Sequence, residues 1–185
     1  MARNPAPGEL ELVERFINTA DLEDDADEID SPEKLAAWLR EAGLLGDSDG
    51  VSESDVQRAA AVREALRGLA LSNNGGPVYP LDLATLNQAA GELELRLRFV
   101  AARGARLETG RAGAEAALAR VLTAVFTAMV DGTWPRLKAC RRHTCRYAFY
   151  DASKNRSSTW CSMAVCGNRT KVESYRRRRT MPPPR

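Results

Sequence analysis

Residues 140–166 read CRRHTCRYAFYDASKNRSSTWCSMAVC, and the four cysteines in that stretch decide how the rest of the chain is read. The spacing is Cys140-x4-Cys145-x15-Cys161-x4-Cys166, and no other cysteine occurs in the 185 residues. Two close pairs separated by a mid-length insert are the pattern of a tetrahedral site with four thiolate ligands. Each pair supplies two sulfurs from one turn of backbone, and the insert brings the second pair round. Zinc suits that donor set. Two disulfides or an iron–sulfur cluster are the alternatives that spacing leaves open. The start, Met1 to Gly8, has Arg3 and two prolines but no apolar signal-peptide core. The expected compartment is therefore a reducing cytoplasm, which disfavours disulfides. His143 lies between the first two cysteines, but four thiolates already close a site, so it reads as a surface residue.

Working outward, charge divides the chain at the same place. Met1–Pro135 holds 13 Lys/Arg against 23 Asp/Glu, a balance of −10, whereas Arg136–Arg185 holds 14 against 2, a balance of +12. The overall +2 therefore conceals an acidic body carrying a basic module, with a merely solvated basic tail as the alternative that charge alone leaves open. The segment from Arg136 onward has few apolar residues and looks too short and polar to fold on core burial alone. Four thiolates around one Zn²⁺ leave a −2 centre that Arg141, Arg142, Arg146 and Arg169 are placed to offset.

The acidic body reads mostly as helix. Leu10, Leu12, Val13, Phe16 and Ile17 fall at helical spacing within Gly8–Ala20. Asp21–Asp30 reads as an acidic linker. Ser31-Pro32 supplies an N-cap and a first-turn proline for a helix with Leu35, Trp38, Leu39 and Leu44 on one side and Gly43 at its end. Ser52 and Asp55 form a capping-box pattern ahead of a long helix over 53–71, and residues 73–77 (NNGGP) break it. A third helix is expected over 83–90. Leu93, Leu95, Leu97 and Phe99 then alternate with charged residues, predicting a strand with one buried face, a turn over 102–104 and a returning strand over 105–108. Residues 112–130 read as a central, Ala-rich core helix. No uninterrupted apolar run reaches the roughly 18 residues of a membrane span. The expected fold class is α+β: a mostly helical N-terminal domain with a small β-hairpin, then a four-cysteine zinc module ending in a basic helix. The expected boundaries are 1–135, 136–180 and a disordered tail over 181–185.

The run from Trp160 through Cys161, Cys166, Gly167, Asn168 and Arg169 to Thr170, Lys171 and Val172 resembles the CGNR zinc finger signature. The upstream Cys140 and Cys145, followed by Phe149, Tyr150, Asp151, Ser153 and Asn155, also resemble it. Phe16-Ile17-Asn18-Thr19 is similar to the start of the ABATE domain, which precedes this finger in its family. The resemblance implies a stress-induced transcriptional regulator with one structural Zn²⁺ and a ligand site in the N-terminal domain, for which Asn18 and Thr19 are the candidates.

The residues carry a reading of their own. Asn168 is expected to cap a helix running through the basic run to Arg179, with Glu173 pairing Arg176 and Arg177. Such a helix, fixed at its start by the metal, fits a major groove or a phosphate backbone. Candidate nucleic-acid contacts are Arg141, Arg142, Arg146, Lys154, Arg156, Arg169, Lys171, Tyr175, Arg176, Arg177, Arg178 and Arg179. Of these, Arg169, Lys171 and Tyr175 are the candidates for reading bases. Asp151 is expected to pair with an arginine or cap a turn, and Trp160 to pack over the metal. DNA is the expected partner, in a nucleoid-associated protein, with a homodimer as one arrangement. An RNA, stacked on Tyr147, Phe149 or Tyr150, or an acidic protein of the transcription machinery is the alternative. No enzyme is expected: the body has no histidine and no phosphate-binding glycine loop, and a four-thiolate zinc has no open position. A docking of the acidic body on the basic module is expected from charge alone.

Overall fold

The computed structural model describes residues 5–101 and 104–180, with side chains to 176. The first helix, α1 (Leu10–Ile17), buries Leu10, Val13, Phe16 and Ile17. Two short strands follow, β1 (Ala20–Asp21) and β2 (Ala26–Asp27), paired antiparallel. The segment 21–30 is therefore a tight hairpin where a linker was expected. Two-residue strands have no periodicity to read. What holds the hairpin is side-chain chemistry: Asp21 Oδ1 accepts the N–H groups of Glu23 and Asp24, and Asp27 grips Arg63.

Ser31 caps α2 (Pro32–Glu41) as expected, its hydroxyl accepting from Lys34 N. At Ser52, both hydrogen bonds of the capping box form ahead of α3 (Glu53–Ser72). The next helix, α4 (Pro80–Glu92), is longer at both ends than the expected 83–90, because Pro80 starts it at a position where a missing N–H costs nothing. The expected hairpin forms as β3 (Arg96–Val100) and β4 (Gly104–Glu108), with Leu97 opposite Leu107 and Phe99 opposite Ala105, but it starts later than expected because Leu93 ends α4. Its apolar face is not buried, however: Leu97 is 56% and Phe99 79% exposed. Alternation reports an amphipathic strand but not whether anything covers it. Residues 102 and 103 of the expected turn, and the tail 181–185, lie outside the described residues.

The helix α5 (Gly113–Val130) is long and apolar enough to cross a membrane by length and composition. Its packing assigns it to the core, against α1, α2 and α3, with nine buried residues from Ala114 to Ala128.

A 3₁₀ turn at Trp134–Arg136 leads into β5 (Leu137–Ala139), which pairs antiparallel with β6 (Ala148–Tyr150). These two strands are not a free-standing module. Leu137, Ala139 and Ala148, each 0% exposed, belong to the same apolar core as α1, α3 and α5. The strand β5 packs on α3, and β6 packs on α1. So the basic segment draws on the body's core, which answers its shortage of apolar residues. The described residues end in a π-helical turn, Met163–Gly167, continuous with α6 (Asn168–Thr180).

Candidate metal centre

The two cysteine pairs sit on two turns that face one another. Cys140 follows β5, its N–H donating to Tyr147 O across the strand pair at 2.9 Å. The chain then folds back within one turn: Cys145 N donates to Arg142 O at 3.0 Å, and Arg146 takes the left-handed conformation (φ 52°) that returns it to β6. The second pair is set by the π-helical turn: the Ser162 hydroxyl accepts from Val165 N, and the Ser162 carbonyl takes the turn's i→i+5 bond from Gly167 N. Gly167 allows this closeness. A Cβ there would lie 2.4 Å from Met163 Sδ and 3.1 Å from Trp160 Cδ1.

The result is a single cluster. The Sγ atoms of Cys140, Cys145, Cys161 and Cys166 all lie within 4.8 Å of one another, and Cys161 Sγ is 3.6 Å from those of both Cys145 and Cys166. A tetrahedron with zinc–sulfur bonds of about 2.3 Å has edges of about 3.8 Å, so the sulfurs stand close to the arrangement the ion requires. Three of the ligands are buried, and Trp160 packs against the cluster as expected. His143 is exposed and outside it.

The chemistry of the donors agrees. Hydrogen bonds from Cys145 and Cys161 hold Cys140 down at about 2, while the same contact pushes Cys145 up to about 12 and Cys161 higher still. One thiolate among these sulfurs thus suppresses ionisation of its neighbours. Four thiolates at this spacing need a divalent cation between them, and the site takes one structural Zn²⁺.

Side chains of the body hold both turns. Asn74 donates from Nδ2 to Ala139 O and Thr159 O, each at 2.8 Å, tying together the residues that precede Cys140 and the Trp160–Cys161 pair. Asn73 reaches Trp134 O and Leu137 O at 2.9 Å. Asn18 clamps β6 from both sides, accepting from Ala148 N at 2.7 Å and donating to Ala148 O at 3.0 Å. Arg67, 5% exposed, donates to Ile17 O, Ala20 O and Arg146 O. None of these roles was visible in the sequence, where Asn73 and Asn74 read only as a helix break. Thr19 is 1% exposed, donating to Phe16 O and accepting from Arg63.

A groove of about 510 Å³ opens between α1 and β6, lined by Glu14, Asn18, Glu28, Trp38, Tyr147 and Cys161, among others. Cys161 is the one ligand that is not buried, and it faces this groove. Burial first, and then the negative charges of Glu14 and Asp21, raise the Tyr147 hydroxyl above its ordinary value. The charged lining of the groove is Glu11, Glu14, Glu28 and Glu41 against Arg15.

The basic candidates divide into two groups. Arg141 donates to Gly75 O, Arg146 to Cys140 O and Arg141 O, and Arg142 pairs with Glu173 at 3.0 Å. These three are spent at least partly within the protein. Lys154, Arg156 and Lys171 are exposed and form no ion pair with any described residue, and Tyr175 and Arg176 are exposed on α6. Arg169, at the start of α6, pairs with Glu23 of the acidic hairpin. The side chains of Arg177, Arg178 and Arg179 lie outside the described residues.

One local expectation is corrected. Asn168 does not cap the helix with an accepted bond. It is already helical, and its Nδ2 donates back to Ala164 O, because the π-turn runs straight into α6. Glu173 pairs with Arg142 across the metal turns, and the side chain of Arg177 lies outside the described residues. Asp151 caps its turn as expected, accepting from Ser153 N, and its cationic partner is Lys138. Of the aromatic residues offered for stacking, Phe149 is 2% exposed and Tyr147 43%.

Two family models match the chain. The model for the CGNR zinc finger matches residues 136–179, and the ABATE model, described as "Putative stress-induced transcription regulator", matches residues 10–132. A comparison with curated proteins gave no match.

Proposed function

The chain belongs to the ABATE family and carries a CGNR zinc finger, and from that premise we propose that it regulates transcription by binding duplex DNA through the finger. The observation that carries this reading is the exposed set Lys154, Arg156, Lys171 and Arg176 on a segment of net charge +12. Cations of this kind neutralise phosphates and release counterions, giving affinity with little sequence choice. Zinc holds the turn from which α6 leaves, so metal and binding face are linked through one helix.

We assign the finger no catalytic role, since four thiolates leave the metal no open position. The protein acts in the cytoplasm, at the nucleoid. The body is the regulatory half. The groove beside Cys161 supports a ligand-sensing role, because a molecule seated there touches α1 and the finger at once, and its carboxylates favour a cationic ligand. Single-stranded RNA is the weaker reading, because Phe149 is buried and leaves Tyr147 as the most exposed stacking platform beside β6.

The test is binding of the zinc-loaded full chain to duplex DNA across a salt series. For about six phosphate contacts, log affinity against log salt has a slope of about −5, and chelation abolishes binding. Absence of binding at low salt would redirect the basic surface to an RNA or an acidic protein.

A further inference from the structure

The acidic hairpin is built to place one carboxylate on the finger. Asp21 Oδ1 accepts the N–H of Glu23 at 2.8 Å and of Asp24 at 3.2 Å, which closes the turn. Asp25 takes the left-handed conformation (φ 52°), and Asp27 anchors the far strand through two 2.7 Å bonds to the buried Arg63. At the tip, Glu23 forms an ion pair with Arg169, the second residue of α6 and 146 positions away. Asp24 and Asp25 are exposed beside it, and their side chains make no ion pair among the described residues.

We infer that this hairpin is an intramolecular competitor for the finger's anion-binding face, with the Glu23 carboxylate holding Arg169 in place of a nucleic-acid phosphate. The inference rests on the DNA-binding reading and adds its regulation. Arg169 is the candidate base reader closest in sequence to the ligand Cys166, and it is the one this contact removes from use. The pair is half exposed, 50% on Arg169 and 35% on Glu23, so it is weak and screened by salt. A weak contact is suited to the role. It cannot lock the finger, but it disfavours isolated phosphates, whereas a duplex offering many phosphates at once displaces it. Its placement on α1's side of the fold also connects it to the groove: Asn18 lines the groove, and the hairpin begins two residues later.

The experiment compares full-length, zinc-loaded wild type with Glu23→Gln and with Asp47→Asn, which removes the same charge from the loop between α2 and α3. The probe is a random-sequence duplex, and zinc content and far-UV spectrum are matched first. Glu23→Gln is expected to bind about two- to fivefold tighter at low salt, the range set by an exposed ion pair, with the gain shrinking as salt rises. Asp47→Asn is expected to match wild type. Binding by the variant alone also supports the inference, as a stronger block. Equal affinity of Glu23→Gln and wild type, or an equal gain from Asp47→Asn, overturns it while leaving the DNA reading intact. Failure of every protein to bind at low salt overturns both.

Discussion

Lys138 Nζ lies 2.8 Å from Asp151 Oδ2, and with side chains 5% and 0% exposed they are the most deeply buried ion pair among the described residues. The ammonium also donates to the carbonyls of Arg156 and Ser158, and the carboxylate accepts from the N–H groups of Ser153 and Ser158. The pair therefore fixes the insert between the two cysteine pairs, which must close correctly for four sulfurs to meet.

Replacing Lys138 with Met tests this. The variant keeps the apolar stem but leaves the Asp151 carboxylate buried without its cation. Breaking one side of a buried pair costs about 3–5 kcal/mol, so the urea midpoint of Lys138→Met should fall by a large fraction of the total stability. A loss under about 1 kcal/mol would mean the insert is held by its backbone bonds alone.

Acid should destabilise the protein in a residue-specific way. Burial alone would raise Asp27, but the Arg63 bonds, the N–H of Ile29 and the charges of Arg63 and Lys34 bring it below its ordinary value. Asp151 behaves likewise: burial is opposed by Lys138, Ser153 and Ser158, which hold it far below the carboxylate range. A carboxyl depressed in the folded state stabilises above its unfolded value, about 3.9, and that contribution is lost as pH falls through the folded value. Stability should thus drop below about pH 4. Zinc release on acidification adds a separate fall, so Asp27→Asn and wild type are compared under one zinc condition. The variant should show a shallower dependence in urea melts taken from pH 5 to pH 2. Identical slopes would mean that Asp27 titrates alike folded and unfolded.

Asn74 should matter to metal affinity without touching the metal. Its two bonds hold the chain just before each cysteine pair, at Ala139 and Thr159. Losing such outer support typically weakens a metal site by about 10- to 100-fold. Asn74→Ala should therefore lose zinc to a competing chelator at a correspondingly lower chelator concentration. An unchanged competition curve would show that the sulfur turns hold themselves.

The sequence showed the features whose cause is local. The cysteine spacing, the Ser31 cap and the Ser52–Asp55 box each involve residues a few positions apart, and all are present in the fold. What it concealed depends on partners far along the chain. Asn18 and Ala148 are 130 residues apart, and an asparagine in a loop looks the same whether it ends a helix or clamps a distant strand. The same limit applies to Leu97 and Phe99, whose alternation marks an amphipathic hairpin yet cannot say that the fold leaves its apolar face bare. Charge asymmetry pointed to an acidic body near a basic finger. The Glu23–Arg169 pair gives that general attraction a place.

Removing zinc should melt part of the basic segment and spare the rest. Leu137, Ala139 and Ala148 sit in the main core, and β5 and β6 are pinned by Asn18, Asn73 and Arg67, so these strands do not need the metal. The second cysteine pair and α6 do. Among the described side chains, which run to Arg176, α6 forms the ion pairs Arg169–Glu23 and Glu173–Arg142, both partly exposed. A 13-residue helix is marginal in water by itself, so its anchorage at the metal turn matters. Complete chelation should therefore lower the far-UV helical signal by about the share that α6 contributes and shift the emission of Trp160 toward water, while the cooperative melt of the body survives. A full collapse of the melt would mean that the zinc site supports the entire core. An unchanged helical signal would mean that α6 is held by the body, and that the metal is not what presents it to a partner.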